Sequence, residues 1–418
     1  VKRMVLLALA GLSSCAAYHP APLLDTAQVA VPLPTAQPLT LAQLVALAMK
    51  RDPDLVAARA QAGIAQAELL AAGTPPDPSL SIGFEALLGG PASMSAIAGS
   101  LGEDVSLLVT RSADVNAAKA HLLQVNANIL WQEWQVAARA AQLGVTLTGE
   151  AADLASLHSD DQALTALEQD VQVQTAAGNL TQQDVSATQT ALAVLRIALN
   201  SEERSQARDE AQLDALLALP SGTPVALTPP DVAQIPPERQ QQALATLPRR
   251  RPDLLALRYG YTEADEKLRA VIRSQFLPIS LGAQGGRDTS GVVSAGPQVA
   301  LSLPLFNRNR PAIQTAEATR AALRAQYAAS LADARNGAEA LEQSISLLQR
   351  QATQADQAAA QAASIAEDAR HTFAAGGLDA RMETDLITAA GDREREVIQL
   401  HTQLQTANLS LAVLLGLD

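Results

Sequence analysis

The chain has 418 residues, 48% of them apolar but only 2% aromatic, and a formal charge of −13. Alanine, leucine and glutamine lose little freedom in a helix, so this composition favours long, closely spaced helices over a wide globular core. The acidic balance, with no basic patch to offset it, excludes nucleic acid as a partner. No run of 18 apolar residues follows the N-terminal region, so a membrane could be crossed only by strands.

Lys2 and Arg3 precede the apolar run Val5–Leu12, and Leu12-Ser13-Ser14-Cys15 follows. These charged, apolar and small-residue regions read as a signal peptide over 1–14. The ending resembles a bacterial lipobox, with Cys15, the only cysteine, as the lipidated first residue of the mature chain. Alanine at position 16, in place of aspartate, resembles the sorting pattern for the outer membrane. Residues 15–39, rich in proline, are expected to form an extended tether. A covalent lipid on Cys15 is the only non-protein group expected.

Beyond the tether the chain is written twice. Arg51-Asp-Pro-Asp-Leu-Val-Ala-Ala-Arg59 matches Arg250-Arg-Pro-Asp-Leu-Leu-Ala-Leu-Arg258, and Leu80-Ser-Ile-Gly83 matches Ile279-Ser-Leu-Gly282, both at an offset of 199 residues. At an offset of 198, Ala176-Ala-Gly-Asn-Leu180 matches Ala374-Ala-Gly-Gly-Leu378, and Leu213–Leu219 matches Leu411–Leu417. The repeats span 40–220 and 239–418, joined by a proline-rich linker at 221–238.

Each repeat carries the same predicted elements. A helix (41–72; 237–275) has Pro53 or Pro252 at a bend or start. A strand follows (80–87; 279–284), then a Gly/Ser-rich loop (89–102; 285–296). A return strand places Val105, Leu107 and Val109, or Val299, Leu301, Leu303 and Leu305, on one face. The β-hairpins thus occupy about 80–110 and 279–306. A long helix (113–177; 311–375) comes next, then a glycine turn at Gly178 or at Gly376-Gly377, then a returning helix. Each long helix would run for ~98 Å, and the first and returning helices together match its length. Four strands cannot close a membrane barrel, and open edges cannot persist in lipid. Two copies would give eight strands and three copies twelve; a soluble sheet remains the alternative. Phe84, Phe276 and Phe306 are the few candidates for an aromatic girdle.

The motif Arg251-Pro-Asp-Leu-Leu-Ala-Leu-Arg258 resembles the Arg-Pro-Asp-Leu signature of TolC-type outer-membrane efflux proteins. Leu303-Pro-Leu-Phe-Asn-Arg-Asn-Arg-Pro-Ala-Ile313 resembles that family's Pro-Leu-Phe segment, where the last strand enters the long helix. The resemblance covers nearly the whole mature chain and implies a homotrimer, with a 12-stranded β-barrel in the outer membrane on a long periplasmic α-helical barrel. It also implies a periplasmic adaptor and an inner-membrane pump, of RND type, as partners. Pro76-Asp-Pro-Ser-Leu-Ser-Ile82 and Phe306-Asn-Arg-Asn309 resemble the heavy-metal CzcC and CusC branch. Leu108-Val-Thr-Arg111, the first-repeat counterpart of the Pro-Leu-Phe-Asn stretch, departs from the pattern.

No phosphate loop, nucleophile elbow or helical pair of histidines is present, so neither catalysis nor a resident metal is expected. The helix-tip turns draw the functional expectation. In TolC-type proteins acidic residues just past the second turn line a constricted entrance, and Asp385 matches one such position. The other falls on Met382, with Glu383 beside it. Asp379 and Asp184 complete the candidate gate. Thr181 and Asp379 are also placed to cap the helices that follow. Trp131 and Trp134 read as fillers of a helix interface, and Arg59 and Arg258 as fixing helix bends and pairs. A drug-efflux or type I secretion channel of the same fold is the nearest competing reading. A periplasmic adaptor or a long-helix structural protein stands further off.

Overall fold

The computed structural model describes residues 18–23, 37–89, 94–105, 107–275, 279–301 and 308–417. The signal segment 1–14, Cys15, most of the tether, Phe276 and the Leu303–Phe306 stretch lie outside the described residues. The duplicated order expected from the sequence is present. The first repeat runs α1 (Leu41–Arg51), α2 (Pro53–Gly73), β1 (Ser79–Glu85), β2 (Ala96–Asp104), α3 (Leu107–Ala176) and α4 (Gln182–Leu216). The second runs α5 (Pro237–Arg250), α6 (Pro252–Arg273), β3 (Ile279–Arg287), β4 (Val293–Leu301), α7 (Arg310–Ala374) and α8 (Ala380–Leu415).

The first helix of each repeat is two helices. Asp52 leaves helical geometry, and its carboxylate accepts the Leu55 N–H at 2.8 Å. Pro53 then starts α2, where its missing N–H costs nothing. In the second repeat Arg251 occupies the equivalent break before Pro252. Its guanidinium donates to both Asp253 oxygens, at 2.9 and 2.7 Å, and to the Leu414 carbonyl at 3.3 Å. It also stacks 5.1 Å from the Trp131 ring centroid, so the Arg-Pro-Asp motif is a clasp joining α6, α8 and α3. Arg59 pairs with Glu133 of α3 at 2.7 Å, as a helix-fixing residue would.

The first return strand differs from expectation. Val105 and residues 107–109 form no strand; β2 is Ala96–Asp104, largely within the segment 89–102 read as a loop, and α3 begins at Leu107. The sparse apolar residues of β2 (Ile97, Leu101) are separated by glycine and serine. In the second hairpin, β3 and β4 leave only a short turn at 288–292. There Asp288 accepts the Ser290 and Val292 N–H groups, both at 2.9 Å. The four strands form one antiparallel sheet in the order β1-β2-β3-β4, which places β1 and β4 at its edges.

Helix α3 is the axis of the body. Its 70 residues rise ~105 Å, packing on α1, α2 and α6 in its first part and on α4 and α8 towards its end. Helix α7, 65 residues long, lies against α6 and α8. The two repeats bury equivalent clusters. In one, Leu44, Ala48, Leu143, Leu147, Leu213 and Leu217 meet. In the other, Leu247, Leu254, Ala338, Ile345, Leu411 and Leu415 do. A third cluster near the glycine turns joins Leu157, Leu164 and Val171 to Val185, Leu192, Ala380 and Ile387. The linker is tied to the start of the first repeat: Leu39 N–H donates to the Ala226 carbonyl at 2.8 Å and Thr228 N–H to the Leu39 carbonyl at 2.9 Å.

Candidate functional site

Two regions carry chemistry that packing alone does not explain: the sheet and the helical tip. On the sheet, cross-strand register sorts the side chains into two faces. One face holds Leu80, Ile82 and Phe84 of β1, with Ile97 and Leu101 of β2 opposite them. It continues through Leu281, paired with Val299, and Ile279, paired with Leu301. This apolar face is uncovered: Leu80, Ile82 and Phe84 are 68%, 73% and 70% exposed. The other face carries Ser79, Ser81, Ser100, Gln284, Ser294 and Gln298 among glycines and alanines, and bounds a hollow of about 730 Å³. Ser81 and Ser100 hydroxyls hydrogen-bond across the β1–β2 pair at 2.8 Å. A sheet with solvent on its polar side would put apolar residues against a core; here no helix among the described residues covers them. No helix among the described residues is long and apolar enough to cross a membrane.

The joint between sheet and helices is belted by polar contacts. Asn309, in the left-handed conformation at φ 60°, donates from Nδ2 to the Val271 carbonyl at 3.2 Å and the Ser274 hydroxyl at 2.8 Å. Asparagine is among the few residues that adopt this conformation readily, which accounts for its place in the Phe306-Asn-Arg-Asn309 stretch. In the first repeat, Arg111 reaches the Gly73 carbonyl instead.

At the opposite end of α3 and α7 the two turns are alike. Gly178 (φ 82°) and Gly376 (φ 76°) take up the left-handed conformation that ends each long helix. The next N–H then reaches back, Asn179 to the Gln174 carbonyl and Gly377 to the Thr372 carbonyl, both at 2.9 Å. The four acidic candidates have different surroundings. Asp184 accepts both the Thr181 N–H (2.9 Å) and its hydroxyl (2.7 Å), and these bonds hold its carboxyl below its ordinary pKa. Asp379 caps α8, accepting the Met382 N–H at 2.7 Å. Glu383 points inward and is only 5% exposed. Burial pushes its carboxyl up to about 7, against the pull of Arg370 and with a further push from Asp170.

Asp385 is exposed and lines a groove of about 610 Å³ between α4 and α8, with Arg381, Asp392 and Val194. Beneath it the hydroxyls of Thr188 and Thr384 meet in a buried pair 3.1 Å apart. The inward course of Glu383 was not legible in the sequence, because its neighbour two positions on has the opposite environment. Nor was the role of Arg251, since only the fold brings Trp131 and the Leu414 carbonyl to it.

No family model matches the chain, and no curated protein is recognisably similar to it in sequence. Solved structures are similar in fold. A membrane protein from Pseudomonas aeruginosa superposes with a TM-score of 0.79 at 19% identity, covering 90% of each chain. CusC, whose crystal structures describe folding and transmembrane channel formation, gives 0.76 at 16% identity over 90% of this chain and 92% of its own. The outer membrane protein VceC from Vibrio cholerae gives 0.75 at 20% identity over 90% and 96%. With duplicated helix–hairpin–helix–helix repeats, an uncovered four-stranded sheet and these superpositions, the chain has the fold of the TolC-like outer-membrane channels.

Proposed function

We propose that the chain is one subunit of a trimeric outer-membrane channel, the exit duct of a tripartite efflux system. The observation that carries this is the sheet: an uncovered apolar face, a polar opposite face and two edge strands. Such a sheet is satisfied when β4 of one copy pairs with β1 of the next, closing twelve strands whose apolar face meets lipid and whose polar face meets water. The long helices then extend into the periplasm and form a second, helical barrel. A lipid on Cys15 would add a tether in the outer membrane. The partners are a periplasmic adaptor and an inner-membrane pump of RND type, as the family resemblance implies. The cargo is small solutes taken from the pump or the periplasm. Heavy-metal cations enter this proposal through the Pro76–Ile82 and Phe306–Asn309 resemblance to the CusC branch.

Of the four acidic candidates, Asp385 is the one whose carboxylate is exposed and not engaged in capping, and we assign it the gate. Conductance of the purified protein in a planar bilayer tests the duct. Discrete, long-lived channels are expected; a protein that inserts without conducting would refute the reading. Deleting the gene and comparing sensitivity to heavy-metal salts with sensitivity to organic toxicants separates the two classes of cargo.

A further inference from the structure

Along α3, between the core cluster that includes Leu147 and the one that includes Leu157, the interior of the helical body turns polar apart from Leu154. Glu150, Asp153, Ser156 and Asp160 succeed one another at three- and four-residue spacing along one stripe of α3. Glu150, Asp153 and Ser156 are 8%, 6% and 5% exposed. In each, one side-chain oxygen (Glu150 Oε2, Asp153 Oδ1, Ser156 Oγ) is buried with no hydrogen-bond partner.

Carboxylates surround this stripe. From α4, Glu202 and Asp209 face Glu150, and Ser205 donates its hydroxyl to Glu150 Oε1 at 2.9 Å. Asp153 faces Glu202 from α4, and Arg395 and Gln399 from α8. Asp160 faces Asp392, Glu394 and Arg395 of α8 and Arg370 of α7. Arg395 is the cation within the seam: its Nη1 lies 3.6 Å from Asp160 Oδ2, and it also pairs with Asp392. Arg208, largely exposed, approaches Asp209 at the rim. Gly391 packs directly on the Asp160 carboxylate, where any side chain would overlap it. The partly buried Arg395, with the more exposed Arg370 and Arg208 at the rim, cannot neutralise this many carboxylates, and an unpaired buried charge is costly.

We propose that this seam is a proton-binding site. Protons held by Glu150 and its neighbours allow α3, α4 and α8 to pack at this level, and their release loosens α4 and α8 from α3. The electrostatics agree with the geometry. Burial, reinforced by Asp209 and Glu202 and opposed by the Ser205 hydroxyl, lifts Glu150 to about 7. Burial, opposed by Arg395, lifts Asp160 to about 6, and Asp153 and Glu202 are raised as well. The folded chain therefore binds more protons than the unfolded chain between the ordinary carboxylate range and about pH 7. The seam's contribution is complete below that window and is lost as pH rises through it. Since the seam lies within one chain, the inference stands apart from the channel reading.

Infrared spectroscopy of the full chain in detergent tests the site directly. The carbonyl band of a buried protonated carboxyl should be present at about pH 5.5 and gone by about pH 8.5, and Glu150→Gln should remove part of it. Glu383→Gln should remove a separate part, which keeps the tip carboxyl from being mistaken for the seam. Amide hydrogen exchange, corrected for its intrinsic pH dependence, gives the second readout. Protection around Glu202–Asp209 and Asp392–Gln399 should fall about tenfold across that interval in the native chain. It should change much less in the Glu150→Gln, Asp153→Asn double variant. A wild-type chain with no such band at any pH, a band untouched by Glu150→Gln, or equal loss of protection in both proteins would overturn the proposal. The infrared titrations of the unmodified chain and of the single variants Glu150→Gln and Glu383→Gln decide the matter even if the double variant does not fold.

Discussion

Glu383 and Asp385 are two residues apart in one helix and meet opposite environments. Asp385 opens onto the α4–α8 groove, while Glu383 turns into the body beside the Thr188–Thr384 hydroxyl pair. Because burial raises the Glu383 carboxyl from 4.5 to about 7, its contribution to stability is complete below pH 4.5 and lost as pH rises through about 7. Glu383→Gln should therefore raise the melting temperature at pH 8 and leave it nearly unchanged at pH 4.5, as scanning calorimetry would reveal. Arg251 is the other residue whose role depends on convergence. Arg251→Ala would strand Asp253 and unstack Trp131, at a cost of about 3 kcal/mol. Arg251→Lys keeps the charge but not the two-pronged contact, and a denaturant titration should place it between the two.

Among the elements, the long helices and the glycine turns were legible in the sequence because each depends on a local signal. The interval 113–177 was expected for α3 and Leu107–Ala176 is found; 311–375 was expected for α7 and Arg310–Ala374 is found. The Thr181–Asp184 capping-box pair and the cap by Asp379 were legible for the same reason. Strand β2 was not, because Ile97 and Leu101 are its main apolar signal, set among serines and glycines. The polar seam of α3 was hidden too, since three helices create it. The two faces of the sheet make opposite predictions for neighbouring residues. Ile82→Lys, on the apolar face, should cost about 2–4 kcal/mol and reduce assembled protein in the membrane fraction. Ser81→Lys, on the polar face, should assemble normally and alter conductance. Equal tolerance of both substitutions would contradict the assignment of faces. At the turns, Gly178→Ala should cost about 1 kcal/mol, the strain of a left-handed alanine.

At the scale of the whole molecule, a helical body with three buried clusters of its own carries a sheet that is unfinished within one chain. In the proposed channel these clusters hold the body together, and neighbouring copies would complete the sheet. Three copies would bring three Asp385 carboxylates together where the tube narrows, and low-dielectric walls would strengthen their field. Asp385→Ala should then reduce cation preference in single-channel recordings and weaken block by trivalent cations added from the periplasmic side. Both effects should fade as salt approaches about 1 M, where the screening length is ~3 Å. Unchanged selectivity and block would return Asp385 to the groove surface. The central claim is that β1 and β4 are completed by neighbouring copies. Native mass spectrometry of the detergent-extracted protein tests it most directly. Three chains per particle are expected, and a monomer that retains its full strand content, or a dimer, would contradict the account.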